Sequence, residues 1–319
     1  MTSSVSLSPP LHKAHKGLLR EDLLVLRHLF DLKDGQQTLE NNHLEGQSLG
    51  SCIPGSNIRD LLFVSLDVEN PPNKAELERN AEHQIGVSIL DTRELGFGTA
   101  VVTKRDPIDI LRTYQFVIGS MKYNRNASRS FCFGESQHIK LPDLQTKLQE
   151  LVPSDRGVIL VLHGGVGDLN FIEAAKLDLN QMYVIDTQKA AQHVLDLDHR
   201  CTMEEMLTLL DCPFADLVLH TAGNDANFTL RALLLLAKRD VDISNRPVST
   251  EGTSLLRRFA EVALAPVPLS DLHTQKEQRR QVESNRKEVR AQKQKKKRAA
   301  LRAREREARE KETAGADRV

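Results

Sequence analysis

Asp67 and Glu69 stand two residues apart at the end of the apolar run LLFVSLDVE. In a β-strand residues i and i+2 point to one face, so both carboxylates project the same way. Two such groups at the end of a buried strand repel unless a positive charge sits between them. Hard divalent cations such as Mg²⁺ or Mn²⁺ favour oxygen ligands of this kind. The other reading of Asp67 is a turn cap before Pro71-Pro72. A third acid, Asp168, follows the apolar run GVILVLHG through Gly164, Gly165 and Gly167 and opens a helical pattern. Its other reading is a helix N-cap, a position that favours Asp. His220 and Asp225 bracket Thr221-Ala222-Gly223-Asn224 where the most apolar helical run begins. Asp225 there suits a metal ligand on a rigid helix, or simply a cap. Histidine suits a general base, because imidazole titrates near 6.5 in water and accepts a proton at neutral pH. The glycines do not form a nucleotide loop, since neither GxxxxGK[ST] nor GxGxxG occurs.

The elements that must position these residues follow from periodicity. Strands are predicted over residues 61–69, 83–92, 113–120, 157–164 and 182–187, with a possible edge segment at 128–136. Helices are predicted over 141–152, 168–176, 187–197, 203–211, 225–239 and 254–263. Strands in succession, then helices alternating with apolar strands, give an α/β domain around a mixed sheet flanked by helices. Its boundaries are 57–268. Residues 1–56 form an N-terminal extension whose Ser/Pro/Lys-rich start reads as disordered. Within it, Glu21–Asp31 carries Leu23, Leu24, Leu26, Leu29 and Phe30 at mostly helical spacing, suited to packing on the domain or on a partner. Residues 269–319 read as a long, charged, solvated helix without a heptad seam.

Charge is distributed unevenly. The net charge is +0, yet residues 276–312 hold 16 Lys and Arg against 7 Glu, which leaves +9 there and −9 elsewhere. No apolar run approaches the length that crosses a bilayer. The four cysteines show no metal-site spacing and read as reduced thiols of an intracellular protein. KQKKKR at 293–298 suits a nuclear-localisation signal. The first twenty residues hold no Asp or Glu, which keeps a mitochondrial transit peptide as an alternative.

In this order, Asp67-Val68-Glu69, His163-Gly-Gly-Val-Gly-Asp168 and His220-Thr-Ala-Gly-Asn-Asp225 resemble the motifs of DEDDh 3′→5′ exonucleases of the RNase H-like superfamily. The blocks QIGVSILDTREL, FGES, VIDTQ and LHTAGNDANFTLRALL are similar to a fungal subgroup, the good-for-full-DBP5-activity-like and quelling-defective-interacting exonuclease proteins. The resemblance covers about residues 57–240. It implies an RNase H-like fold and two Mg²⁺ or Mn²⁺ ions held by Asp67, Glu69, Asp168 and Asp225, with His220 as general base. It implies hydrolysis of RNA or single-stranded DNA from the 3′ end to nucleoside 5′-monophosphates. Leu66, Val68 and Phe171 are then candidates to wedge the terminal base, and His163 to support its loop. Two departures stand out: Asn70 where the family often has Thr, and Gly164 and Gly167 where its second motif often has Asn and Phe. The missing aromatic puts processivity and substrate choice in doubt. An acidic body also sits oddly with nucleic-acid binding, which usually uses a basic face. Bound ions would invert the charge locally, and the tail, with Lys295, Lys296, Lys297 and Arg298, is the expected phosphate anchor. The competing reading is a catalytically silent nuclease-fold adaptor that binds RNA or a protein partner through that tail.

Overall fold

The structure is a computed structural model of the 319-residue chain. It describes residues 15–30, 60–70, 82–95, 105–215, 218–244 and 248–269, together with 282, 287 and 293–295. The expected disordered start, the linker before residue 60, and Lys296, Lys297 and Arg298 lie outside the described residues.

Strand β1 (Leu61–Glu69) carries two rows of side chains. Leu62, Val64, Leu66 and Val68 enter one core, while Leu61 and Phe63 enter another on the opposite face. That second row continues as Ser65, Asp67 and Glu69, so it turns from apolar to acidic as the strand leaves the core. Strands β2 (His83–Asp91) and β3 (Leu111–Ile118) extend the sheet antiparallel on one side of β1. The short β4 (Ser136–His138) adds a parallel edge to β3. On the other side, β5 (Gly157–Leu162) and β6 (Gln181–Asp186) run parallel to β1. The order is β4-β3-β2-β1-β5-β6, a mixed sheet as the sequence pattern predicts.

Eight α-helices are described: α1 (Glu21–Leu29), α2 (Met121–Ser128), α3 (Leu144–Leu151), α4 (Val166–Ala174), α5 (Thr187–Val194), α6 (Met203–Leu209), α7 (Ala222–Ser244) and α8 (Thr250–Ala263). Helix α7 lies across β1, β2 and β3 and is buried along most of its length. Helices α3 and α4 cover the other face through Leu144, Leu148, Phe171 and Ile172. The segment expected as an edge from residue 128 is different. It is the end of α2 followed by a loop, and pairing starts only at Ser136. Ser120 caps α2 by accepting from the Tyr123 N–H, and only Ala127 of that helix is buried. A helix with one buried residue leaves no apolar stripe for periodicity to find.

Helix α1 packs on the domain. Leu23, Val25, Leu26, Leu29 and Phe30 are buried in the same core as Phe63, Phe228 and Phe259. Phe30 stacks on Phe63 with ring centroids 5.4 Å apart and meets Phe259 edge-on at 4.5 Å. Arg27 closes a bidentate, buried ion pair with Asp240 of α7 at 2.7 and 2.8 Å. Most of the apolar face of α1 is therefore used inside the fold, with Leu24 left half-buried. Residues 1–268 form one compact unit and 269–319 a second; of the latter, Val282, Lys287 and residues 293–295 are helical and exposed.

Candidate metal centre

Four carboxylates meet where β1 ends, α4 begins and α7 begins. Period-two alternation puts Asp67 and Glu69 on the face that α7 covers. The approach of α7 depends on Gly86, which lies directly across from Asp67 on β2. A Cβ on Gly86 would stand 1.8 Å from the Ala222 carbonyl oxygen, so only glycine lets the first turn of α7 lie this close. Asp225 falls in that first turn rather than at its cap. Its Oδ2 accepts the N–H of His220 at 2.9 Å, and ligand atoms of Glu69, His220 and Asp225 lie within 4.8 Å of one another. His220 is exposed and adopts a φ of 60°, a left-handed conformation that few residues other than glycine take up.

Asp168 is not the cap of its helix. Helix α4 begins two residues earlier, with Gly165 at its cap, and Asp168 Oδ1 instead accepts the N–H of Val68 at 2.8 Å. That bond ties α4 to β1 between Asp67 and Glu69. Three separate elements thus bring Asp67, Glu69, Asp168, Asp225 and His220 to one place.

The electrostatics are those of unneutralised acids. Loss of solvent holds the Asp67 carboxyl well above the usual carboxylate range, and Asp225, Asp168 and Glu69 push it further the same way. Asp225 is also held well above that range, by burial first and Glu69 second. Burial lifts Asp168 to about 6, opposed by the hydrogen bond from Val68. Asp225 Oδ1 is buried and receives no hydrogen bond. A buried oxygen left unpaired among mutually repelling carboxylates is costly. An all-oxygen donor set with this deficit of positive charge fits hard divalent cations.

Interior polar side chains hold the arrangement, and the sequence reading did not single them out. Gln115, mid-strand in β3, accepts the Gly223 N–H through Oε1 at 3.1 Å and donates through Nε2 to Ser136 Oγ at 2.7 Å. Asn224 accepts the Cys132 N–H at 2.9 Å and donates to the Ser130 and Val218 carbonyls at 2.8 and 2.7 Å. The signal for Gln115 was its place between Tyr114 and Phe116 in a buried strand, where an amide must find partners. Below the second motif, Asp186 Oδ1 accepts the N–H of Gly164, and Asp22 Oδ1 accepts the N–H of Asp186. His163 shares this layer. The Thr187 hydroxyl donates to the Leu162 carbonyl, so His163 Nδ1 donates to Thr187 Oγ1 at 3.0 Å. Burial lowers its pKa to about 4 and keeps the ring neutral at physiological pH.

Asn70 has a local cause and Gly164 a steric one, while nothing in the structure explains Gly167. Asn70 has a φ of 56°, which Asn tolerates and β-branched Thr does not. Gly164 has a φ of 69°, and a Cβ there would meet the Gln188 side chain at 2.6 Å. The base-wedge expectation needs correction. Phe171 is 0% exposed, Leu66 1% and Val68 7%, all inside the core shared with Leu144 and Leu148, so none presents a face to a base. Of the tail residues expected to bind phosphate, Lys295 is described, as helical and exposed.

A family model described as DNA polymerase III subunit epsilon-like, C-terminal domain (DEDDh_C), matches residues 62–236, more than half of the chain and every element that carries the five residues. No curated protein matches the chain.

Proposed function

The chain belongs to the DEDDh exonuclease family of the RNase H-like superfamily, and from that nuclease domain we propose a metal-dependent 3′→5′ exonuclease that trims RNA or single-stranded DNA to nucleoside 5′-monophosphates. The observation that carries the reading is the convergence of Asp67, Glu69, Asp168 and Asp225 with one buried carboxylate oxygen unpaired. These four residues would hold two Mg²⁺ or Mn²⁺ ions. Such ions, when bound, activate water for attack and offset charge on the leaving 3′-oxygen. Asp225 and Asp168 fix the ligand set to two helices, and the Val68 N–H keeps one oxygen of Asp168 turned toward β1. His220 takes the proton of the attacking water at an imidazole nitrogen. Its exposure leaves that nitrogen open to solvent, while the bond from its N–H to Asp225 holds its backbone beside the ligands. His163, neutral and bonded to Thr187, supports the loop and takes no proton. The fungal exonuclease subgroup and a nuclear location through KQKKKR belong to the same proposal.

The test compares wild type with Asp67→Ala and His220→Ala on single strands with a free 3′ end, in Mg²⁺ or Mn²⁺. His220→Ala is expected to slow release of mononucleotides by about 10²- to 10⁴-fold, as loss of a general base does. Asp67→Ala is expected to abolish it. Equal product from all three proteins would overturn the reading and leave a nuclease-fold adaptor.

A further inference from the structure

Helix α2 and the turn after it follow the rim of the carboxylate cluster from one side to the other. At one end the Tyr123 hydroxyl accepts from Asn70 Nδ2 and Gln84 Nε2, each at 3.4 Å. Asn70 follows Glu69 in the chain, and Gln84 faces Glu69 across the β1–β2 pair. At the other end, the Ser130 carbonyl and the Cys132 N–H are both bonded to Asn224, the neighbour of Asp225. Gly223 packs here against the Phe131 ring, and a Cβ on it would lie 2.5 Å from that ring. The segment is thus fixed beside the first ligand pair and beside the last ligand.

Its charge is the reverse of the cluster's. From Gly119 to Gly134 there is no Asp or Glu, while Lys122, Arg125 and Arg129 are all exposed. Among the described residues no carboxylate pairs with any of the three. The flanking acid Glu82 is engaged by the Ser120 hydroxyl at the helix start, and Glu135 lies beyond Gly134. Positions 122, 125 and 129 follow the i, i+3, i+7 spacing that lines one helix face. Arg129 keeps that phase because its backbone is still right-handed helical, with φ −70° and ψ −20°. At a rise of about 1.5 Å per residue the row is about 10 Å long. Three like charges in an exposed row, with no carboxylate paired to them among the described residues, repel one another and attract a polyanion.

We infer that Lys122, Arg125 and Arg129 form a phosphate-binding rail, over which the backbone of a single nucleic-acid strand runs as its 3′ end enters the carboxylate cluster. The inference rests on the exonuclease reading of that cluster and moves the phosphate anchor from the tail to the domain itself. A rail of this kind reads backbone charge, so it serves RNA and DNA alike and adds no base preference.

The experiment uses the full chain with Lys122, Arg125 and Arg129 all changed to Ala, and a second variant with all three changed to Gln. A control changes Arg200, Arg239 and Arg257, exposed cations elsewhere in the domain, to Ala. Binding of a fluorescein-labelled single strand with phosphorothioate linkages at its 3′ end is followed by anisotropy across salt concentrations in Mg²⁺. With about 0.7 counterions released per phosphate contact, both rail variants should lower the slope of log K against log salt by about 2, and the control should not. A parallel assay sets hydrolysis of an unmodified strand against hydrolysis of the p-nitrophenyl ester of thymidine 5′-monophosphate, which has no backbone to lie on the rail. The rail variants should lose roughly ten- to a hundredfold in kcat/KM on the strand and keep ester hydrolysis. An unchanged salt slope, or an equal fall in the control, overturns the inference and returns the anchor to the tail. If wild type hydrolyses neither substrate, the exonuclease reading fails, while the binding slopes still decide the rail. Unchanged melting temperatures in the variants establish that folding is not the cause.

Discussion

Asp225 Oδ1 is buried without a hydrogen bond, and Asp67 faces three further carboxylates. Both carboxyls, with Asp168 at about 6, favour their protonated forms when no cation is present. A carboxyl whose folded pKa is raised contributes stability fully below its unfolded value of about 4 and loses it as pH climbs through the folded value. The metal-free protein should therefore lose stability relative to the ion-bound protein from about pH 4 through 6 and above. A divalent ion held by the ionised groups would reverse this. Melting temperature with EDTA and with Mn²⁺ at pH 5 and pH 8 checks the point, and the gain from Mn²⁺ should be clearly larger at pH 8. Equal gains would mean that these acids are not the ligands. The residues of this cluster were legible because strand alternation alone aligns Asp67 with Glu69. Asp168 was less so, because an acid in a first helical turn looks like a cap until its bond to Val68 is seen. The misplaced residues were Leu66, Val68 and Phe171. Periodicity marks them as apolar but does not tell a core face from a substrate face.

The elements succeed or fail as positioning devices at close approaches. Strand β2 and helix α7 meet at Gly86, where an added Cβ would strike the Ala222 carbonyl. Gly86→Ala must lift the first turn of α7 and carry Asp225 and His220 away from Asp67 and Glu69. A displacement near 1 Å in a catalytic constellation costs on the order of 10²-fold. The expected result is a loss of that size in kcat, with weaker Mn²⁺ binding by calorimetry and a folded far-UV spectrum; full activity would show that the approach is not needed. The isolated Gly in the strand HQIGVSILD is a signal of a close backbone approach, but the sequence does not say which element approaches. Helix α2 was hidden for a related reason. Its hold comes from one local cap at Ser120 and from the Asn224 bonds to the turn that follows, contacts between distant residues rather than a repeating local pattern. Strands β1 and β5 and helix α7 were legible because their signals are long and apolar.

For the molecule as a whole, the main revision concerns where the domain begins. A start near residue 57 omits α1, yet α1 and the Phe30 that follows it supply five buried apolar residues to the core that also holds Phe63 of β1 and Phe228 of α7. The sequence showed an amphipathic helix but not its target, because Arg27 and Asp240 lie 213 residues apart and only folding brings them together. Their bidentate pair is almost fully buried, with side chains 9% and 1% exposed. Removing one partner strands the other charge in the interior, which costs about 3–5 kcal/mol, whereas replacing both by apolar groups is often near neutral. Arg27→Met should therefore lower the unfolding free energy by about 3–5 kcal/mol in urea, and Arg27→Met with Asp240→Leu should recover most of the loss. Asp22 adds a functional consequence, because α1 reaches the second motif through Asp22, Asp186 and Gly164. If α1 is part of the nuclease fold, Arg27→Met should bring the melting transition and the loss of activity to the same lowered temperature, in one cooperative step. An α1 that merely decorates the surface would detach first, leaving activity intact above the temperature at which the helix is lost.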